Sequence, residues 1–315
     1  MSVVSRVRST YADVYPNLRR AIELAGGLPV RAGDAVAIKI NLCDARTPET
    51  GTITHPVFLD ALLRYLREEH EDLTLYVVES NATVVIADEF IRWFGFLPVL
   101  QRWGAAWHNL SHDEVVSVPT PGFYLKEVPV PSLLTRCRLL SLSKMKTNAL
   151  STITASLKNQ FGCLPMVEKS IFHDHLAAVI ADVNRVMRPV FSIVDGIIAQ
   201  GSTRGPAFGV PIRAEVIFAG RDPVAVDGAV ATYMGFAPRR VGHIRLAAKA
   251  GVGSLRSQVV GDEVPRVDFE YGWLDDLQLR LGRALSGAQR TQTRSGWRRQ
   301  RASATVTSDG GGTTA

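Results

Sequence analysis

The stretch "GDAVAIKINLC", residues 33–43, decides how the rest of the chain is read. Gly33-Asp34 supplies a turn, and apolar residues then run nearly unbroken through 35–42. Such a run suits a strand buried on both faces, as in a parallel sheet covered by helices. The next segment, "HPVFLDALLRYLREEH", reads as a helix from Pro56 to about His70. Its apolar positions 58, 59, 62, 63 and 66 form one stripe, and Pro56 suits a first turn. "LTLYVVES" (73–80) is then a second strand, so the chain begins a strand–helix–strand unit.

Working outward, the same alternation continues. A helical pattern falls near 87–95, with strand-like pieces at 114–119 and 126–130 and a strand at 138–146. Helices are expected at 149–161 and 173–187, strands at 189–196 and 214–220, and two closing helices within 222–236 and 239–253. The fold class is α/β, a mostly parallel sheet flanked by helices, with a small β-rich insertion around 110–131. Residues 1–286 make one large domain, in one body or two lobes. Residues 287–315 read as a disordered basic tail of Gly, Ser, Thr and Arg.

Composition excludes several classes. At 46% hydrophobic and 21% charged, the 315-residue chain has the make-up of an ordinary globular protein with a sizeable core. No apolar run approaches the roughly 18–20 residues that span a bilayer. The first residues, "MSVVSRVRSTYADVYPNL", lack a signal-peptide core, so a cytoplasmic address is expected. The net charge of +6 is concentrated in the tail, where Arg290, Arg294, Arg298, Arg299 and Arg301 face the single acid Asp309. A near-neutral body argues against nucleic acid as the partner. Cys43, Cys137 and Cys163 include no C-x-x-C pair, which argues against a disulfide framework and a self-ligated four-cysteine iron–sulfur cluster.

In open parallel sheets, ligands bind beyond the carboxyl ends of the strands. Lys39 and Asn41 fall at one such end, Glu79 and Ser80 at the next, then Lys144 and Lys146, then Asp195. Lys39 is surrounded by apolar residues and needs an anion or water at its head. Either an ion pair with Glu79 or a ligand serves. Lys144 and Lys146 share a strand face. A helix starting near Thr147–Ser151 would add backbone N–H groups and hydroxyls, making an anion cradle. On that helix Thr147, Ser151, Thr154 and Lys158 form a polar stripe opposite Ile153, Leu157 and Phe161, and Gly162 ends it as a left-handed cap. Lys158-Asn159 is then either a solvated tip or part of the site.

His173 and His175 are candidates for a divalent metal pair or for proton transfer, and Asp174 is the cap of the following helix. "VDGIIAQGSTRGPAFGVP" runs from a strand end into a loop with Gly196, Gly201, Gly205 and Gly209 that matches no nucleotide-binding motif. Asp222 is a helix cap with Pro223 just inside, and Asp227 is a candidate for chemistry.

Taken in order, K-I-N (39–41), T-H-P (54–56), V-E-S (78–80), K-M-K-T (144–147), L-K-N-x-x-G-C-x-P (157–165), V-D-G (194–196), G-P-x-x-G (205–209), D-P-V-A-V-D (222–227) and A-G-V-G (250–253) form a set. The set resembles the family known as domain of unknown function 362, over about residues 30–255. The resemblance implies a shared fold and site, without a reaction. Some members carry an appended ferredoxin-like iron–sulfur module, whose cysteines this sequence does not supply. A redox role would therefore draw on a separate partner protein or another cofactor.

The combined expectation is an enzyme acting on a small carboxylate- or phosphate-bearing metabolite by Lys/His acid–base or metal-assisted chemistry. Lys39, Asn41, Lys144, Lys146, Thr147 and Asn159 would bind the substrate. Lys158, His173, His175, Asp195 and Asp227 would carry the reaction. The alternative is a non-catalytic or redox-partner protein that docks an electron-transfer or metabolic complex.

Overall fold

The computed structural model describes residues 1–70, 72–202, 209–269 and 271–272. The chain begins with β1 (Ser2–Arg8), α1 (Val14–Leu24), β2 (Ala35–Lys39), α2 (Pro56–Glu69) and β3 (Thr74–Glu79). α3 (Ala87–Trp93), α4 (Phe96–Trp103) and β4 (Ala106–Asn109) lead into β5 (Val115–Pro119) and β6 (Glu127–Pro131). Next come β7 (Arg138–Asn148), β8 (Thr152–Thr154), α5 (Ser156–Asn159) and α6 (Leu176–Val186). β9 (Phe191–Gly201), β10 (Val210–Gly220), α7 (Pro223–Tyr233), α8 (Gly242–Lys249) and β11 (Ser257–Gly261) complete it.

Among the described residues, nine strands form one sheet in the order β11-β1-β10-β9-β7-β2-β3-β4, with β8 paired to β7. Pairings along β9-β7-β2-β3-β4 and between β1 and β11 are parallel. β10 runs antiparallel to both of its neighbours. Its link to β9 is too short for the crossover of about a dozen residues that a parallel return needs. β5 and β6 form a separate antiparallel pair, which is the β-rich insertion. The α/β class with a mostly parallel sheet therefore holds.

Strand alternation sends successive side chains to two cores. Val36, Ile38, Leu140, Leu142 and Ile193 pack with Leu18 and Ile22 of α1 and with Phe58, Leu59 and Leu62 of α2. Ala37, Leu139, Met145 and Val194 pack on the other face with Val179, Ile180 and Val183 of α6 and with Val224 and Val230 of α7. Burial on both faces explains why the central strands read as continuous apolar runs. The residues Met1–Tyr271 form one compact unit. A second unit begins at Gly272, and the arginine tail from 287 lies outside the described residues.

Several expectations are corrected. Residues 149–161 are not one helix. β7 persists to Asn148 and turns back through a three-residue loop into β8, with Thr147 opposite Ile153 and Asn148 opposite Thr152. The β-branched Thr147, Ile153 and Thr154 favour strand. The Asn148 side chain shapes the loop by accepting from the Leu150 and Ser151 N–H groups. Consequently no helix starts near Thr147–Ser151, and the polar stripe is no helix face. Gly162 lies inside a 3₁₀ turn, Gln160–Cys163, and is not a left-handed cap. Residues 169–175 are 3₁₀ and α6 begins only at Leu176, with His175 rather than Asp174 at its cap position. Asp195 does not end its strand, which continues to Gly201. Asp222 does cap α7, accepting from the Val224 and Ala225 N–H groups.

Candidate functional site

Strand order reverses between β2 and β7: from β2 the chain works outward to β3 and β4, then returns to β7 on the other side. Ligand sites form at such switch points, beyond the strands' carboxyl ends. A cavity of about 340 Å³ lies there, lined by Lys39, Asn41, Cys43, Glu79, Lys158, Asn159, Gly162, Lys169 and His173 together with apolar loop residues.

Lys39 and Glu79 leave adjacent strands and meet in the cavity wall. The Lys39 Nζ lies 2.5 Å from the Glu79 Oε1, and both side chains are almost wholly buried. Lys39 also donates to the Ile40 carbonyl at 2.7 Å. Glu79 accepts from the Leu42 N–H at 2.8 Å and the Ser80 N–H at 3.0 Å. This pair needs no further ion. Gly162 lies against it: a Cβ there would fall 2.7 Å from Lys39 Nζ and 2.9 Å from Glu79 Oε1.

Asn159 binds the strand ends together. Its Nδ2 donates to the Lys39 carbonyl at 2.9 Å and the Ser141 hydroxyl at 3.2 Å, while its Oδ1 accepts from Asn41. Asn41 in turn accepts from Lys146 Nζ at 2.7 Å. Lys146 also donates to the Thr52 carbonyl at 2.8 Å and contacts the Cys43 Sγ at 3.1 Å, which uses its three N–H groups. It sits behind the cavity wall as a buried charge.

Lys158 is different. It projects from α5, half-buried, and makes no hydrogen bond or ion pair with any described residue. Burial, and then the nearby Lys146 ammonium, push it down to about 8. Across the cavity, burial also pushes Lys169 down to about 8, the Glu79 carboxylate opposing the shift. Lys169 donates to the Asn81 carbonyl at 2.5 Å. The motif reading did not include Lys169. Its one sequence signal is a lysine between apolar neighbours Val167 and Ile171, in the segment that carries the two histidines.

α5 is a single turn and does not stand by itself. Asp227, fully buried on α7, accepts from the Ser156 N–H at 2.8 Å and the Leu157 N–H at 3.0 Å. Asn184 of α6 donates to the Leu157 carbonyl at 2.8 Å. Asp227 thus holds the turn that aims Lys158, and it does not line the cavity. Burial raises its carboxyl, and the adjacent His243 partly opposes this.

A second lysine cluster is closed. Lys144 Nζ donates to the Asp195 carboxylate at 2.8 Å, with both groups buried, and to the Tyr11 hydroxyl at 3.2 Å. Asp195 also accepts from Tyr11 at 3.0 Å and from the Ile197 N–H at 3.0 Å. Burial lowers Lys144 and raises the Tyr11 phenol, which stays protonated. Tyr11 stacks on His55 at 3.9 Å, and burial lowers His55.

The cavity therefore brings together Lys39, Asn41, Lys158, Asn159 and His173, while Lys144, Lys146, Thr147, His175, Asp195 and Asp227 lie outside its lining. Thr147 donates to the Ser202 carbonyl at 2.6 Å. His175 stacks on Tyr124 at 4.3 Å. Among the described residues, no group of three or more His, Cys, Asp or Glu side chains is arranged to hold a metal. Gly205 of the glycine-rich loop lies outside the described residues.

A family model described as Domain of unknown function (DUF362) matches residues 36–232. The thylakoid-associated protein sll1697 of Synechocystis is 23% identical over 265 residues, covering 77% of each chain. Among solved structures, the lactate racemase apoprotein from Thermoanaerobacterium thermosaccharolyticum is similar, with a TM-score of 0.48 and 9% identity. The similarity covers 74% of this chain and spans 57% of that one. No described helix is long and apolar enough to cross a membrane.

Proposed function

The chain belongs to the domain of unknown function 362 family, and from its cavity we propose an enzyme that binds a small carboxylate- or phosphate-bearing molecule and moves a proton on it. The observation that carries this reading is Lys158, an ammonium with no partner among the described residues, in a cavity whose strand-end lysine, Lys39, is already held by Glu79. A desolvated cation without an acceptor is costly, and an anionic ligand removes that cost. With Lys158 at about 8, both its protonation states are populated near neutral pH, as a general base requires. Lys169 supplies a second positive charge to the ligand, and His173, on the exposed side of the cavity, exchanges the proton with solvent.

Calorimetry with a panel of small carboxylic acids and inorganic phosphate tests the binding half. Lys158→Ala is expected to weaken binding at least about tenfold, the worth of one charge-assisted hydrogen bond. The tightest acid, incubated in D2O with wild-type protein, should gain deuterium beside its carboxylate by NMR, and should not with Lys158→Ala. Wild-type binding by both Lys158→Ala and Lys169→Ala would remove the cavity from consideration. The docking alternative would then be favoured, with exposed Val84, Ile86 and Ile171 as its surface.

A further inference from the structure

The apolar part of the cavity is unused by a small-anion reading. Val84, Leu150 and Val167 line the same opening and are 69%, 38% and 48% exposed. They come from three separate segments: the loop between β3 and α3, the β7–β8 turn, and the loop before the 3₁₀ segment at 169–175. Single exposed apolar residues are ordinary on a protein surface. Convergence of three at the mouth of a cationic cavity, with Phe161 forming an apolar wall further in, is a different arrangement. The volume of about 340 Å³ lies within the roughly 300–1,000 Å³ range of pockets that enclose drug-sized ligands. An acid of two or three carbons would leave most of that space, and the apolar walls, to water.

We propose that the ligand is an amphipathic monomeric organic acid, with its anionic head at Lys158 and Lys169 and an apolar tail over Phe161, Leu150, Val84 and Val167. This deepens the proposed function and rests on it for the position of the head. Ammonium groups fix one end by charge, while the tail gains affinity with each methylene removed from water.

The test is calorimetric titration of the full chain with acetate, butanoate, hexanoate and octanoate, each kept monomeric. Affinity should rise by about fourfold per added methylene until the tail outruns the cavity. Replacing both rim residues (Val84→Ser with Val167→Ser) should flatten that gain. These positions are exposed, so the change leaves the fold intact. Lys158-dependent binding with equal affinity along the series overturns the tail while leaving the small-anion reading in place. A full chain-length gain that survives Lys158→Ala overturns the head placement, and the amphipathic assignment with it. Binding only to vesicles of anionic phospholipid, with all four monomeric acids inert, overturns it as well.

Discussion

Two lysine neighbourhoods sit 14 residues apart on the same chain and have opposite chemistry. Around Lys144 every charge is matched: Asp195 takes the ammonium, Tyr11 bridges both, and the Ile197 N–H occupies the second carboxylate oxygen. Around Lys158 no carboxylate of the described residues pairs with the ammonium, and the neighbouring Lys146 ammonium repels it. Lys144 is fully buried and Lys158 half-buried. Only the first has its compensation built in. The first is a structural use of a buried lysine, completed on folding; for the second we propose a use that a ligand completes.

Breaking the comparison is most direct through stability. Lys144→Met strands the Asp195 carboxylate in the core and should cost about 3–5 kcal/mol in urea unfolding. Lys158→Met removes a cation that had no partner, and should leave stability unchanged or raise it by about 1 kcal/mol. Equal losses from the two would mean that Lys158 has a partner in the fold after all.

A smaller effect comes from Gly162→Ala. The added methyl would meet the Lys39–Glu79 pair, which sits between packed strand ends and cannot move freely. The expected loss is about 1–3 kcal/mol, measured by the same denaturation. It should come with weaker acid binding, because the pair forms the cavity wall.

The mildest perturbation is pH. Folding lowers the Lys158 ammonium to about 8, so below that value it is charged and above it neutral. Anion affinity should be highest below pH 8 and decline as pH rises through it. Lys158→Arg keeps its charge throughout and should bind the anion more tightly than wild type above pH 9 while losing deuterium exchange. An unchanged wild-type affinity from pH 7 to 10 would show that Lys158 does not carry the anion; Lys169, also at about 8, falls under the same test.

Much of the central sheet was legible because buried parallel strands write themselves as apolar runs, as 35–40 and 73–79 do. The ends of the sheet were not: the edge strands β4 and β11 and the next-to-edge β1 are short or only partly buried, and their sequences carry little period. The β7–β8 hairpin was misread because its apolar residues also fit a helical spacing, and the deciding contacts come from strand pairing and the Asn148 side chain. In the site, Lys39 stood out because a charge inside an apolar stretch demands an explanation, and Lys158 through the L-K-N-x-x-G-C-x-P segment, where it could equally be a solvated tip. Lys169 did not, because its burial comes from packing against residues distant in sequence, among them Asn81. Asp227 was a candidate for chemistry, but its carboxylate is spent on the backbone of α5.

That last attachment has a consequence for variation. The turn bearing Lys158 takes its orientation from α7, a helix that does not line the cavity, so the aim of the lysine proposed to react is encoded outside the cavity. A library confined to lining residues would sample ligand fit while leaving the direction of Lys158 fixed. Changes at Asp227, or at Asn184 beside it, would instead redirect the lysine without altering a single atom that a ligand touches. Among relatives, divergence of specificity is therefore to be sought in α6 and α7 as much as in the pocket itself.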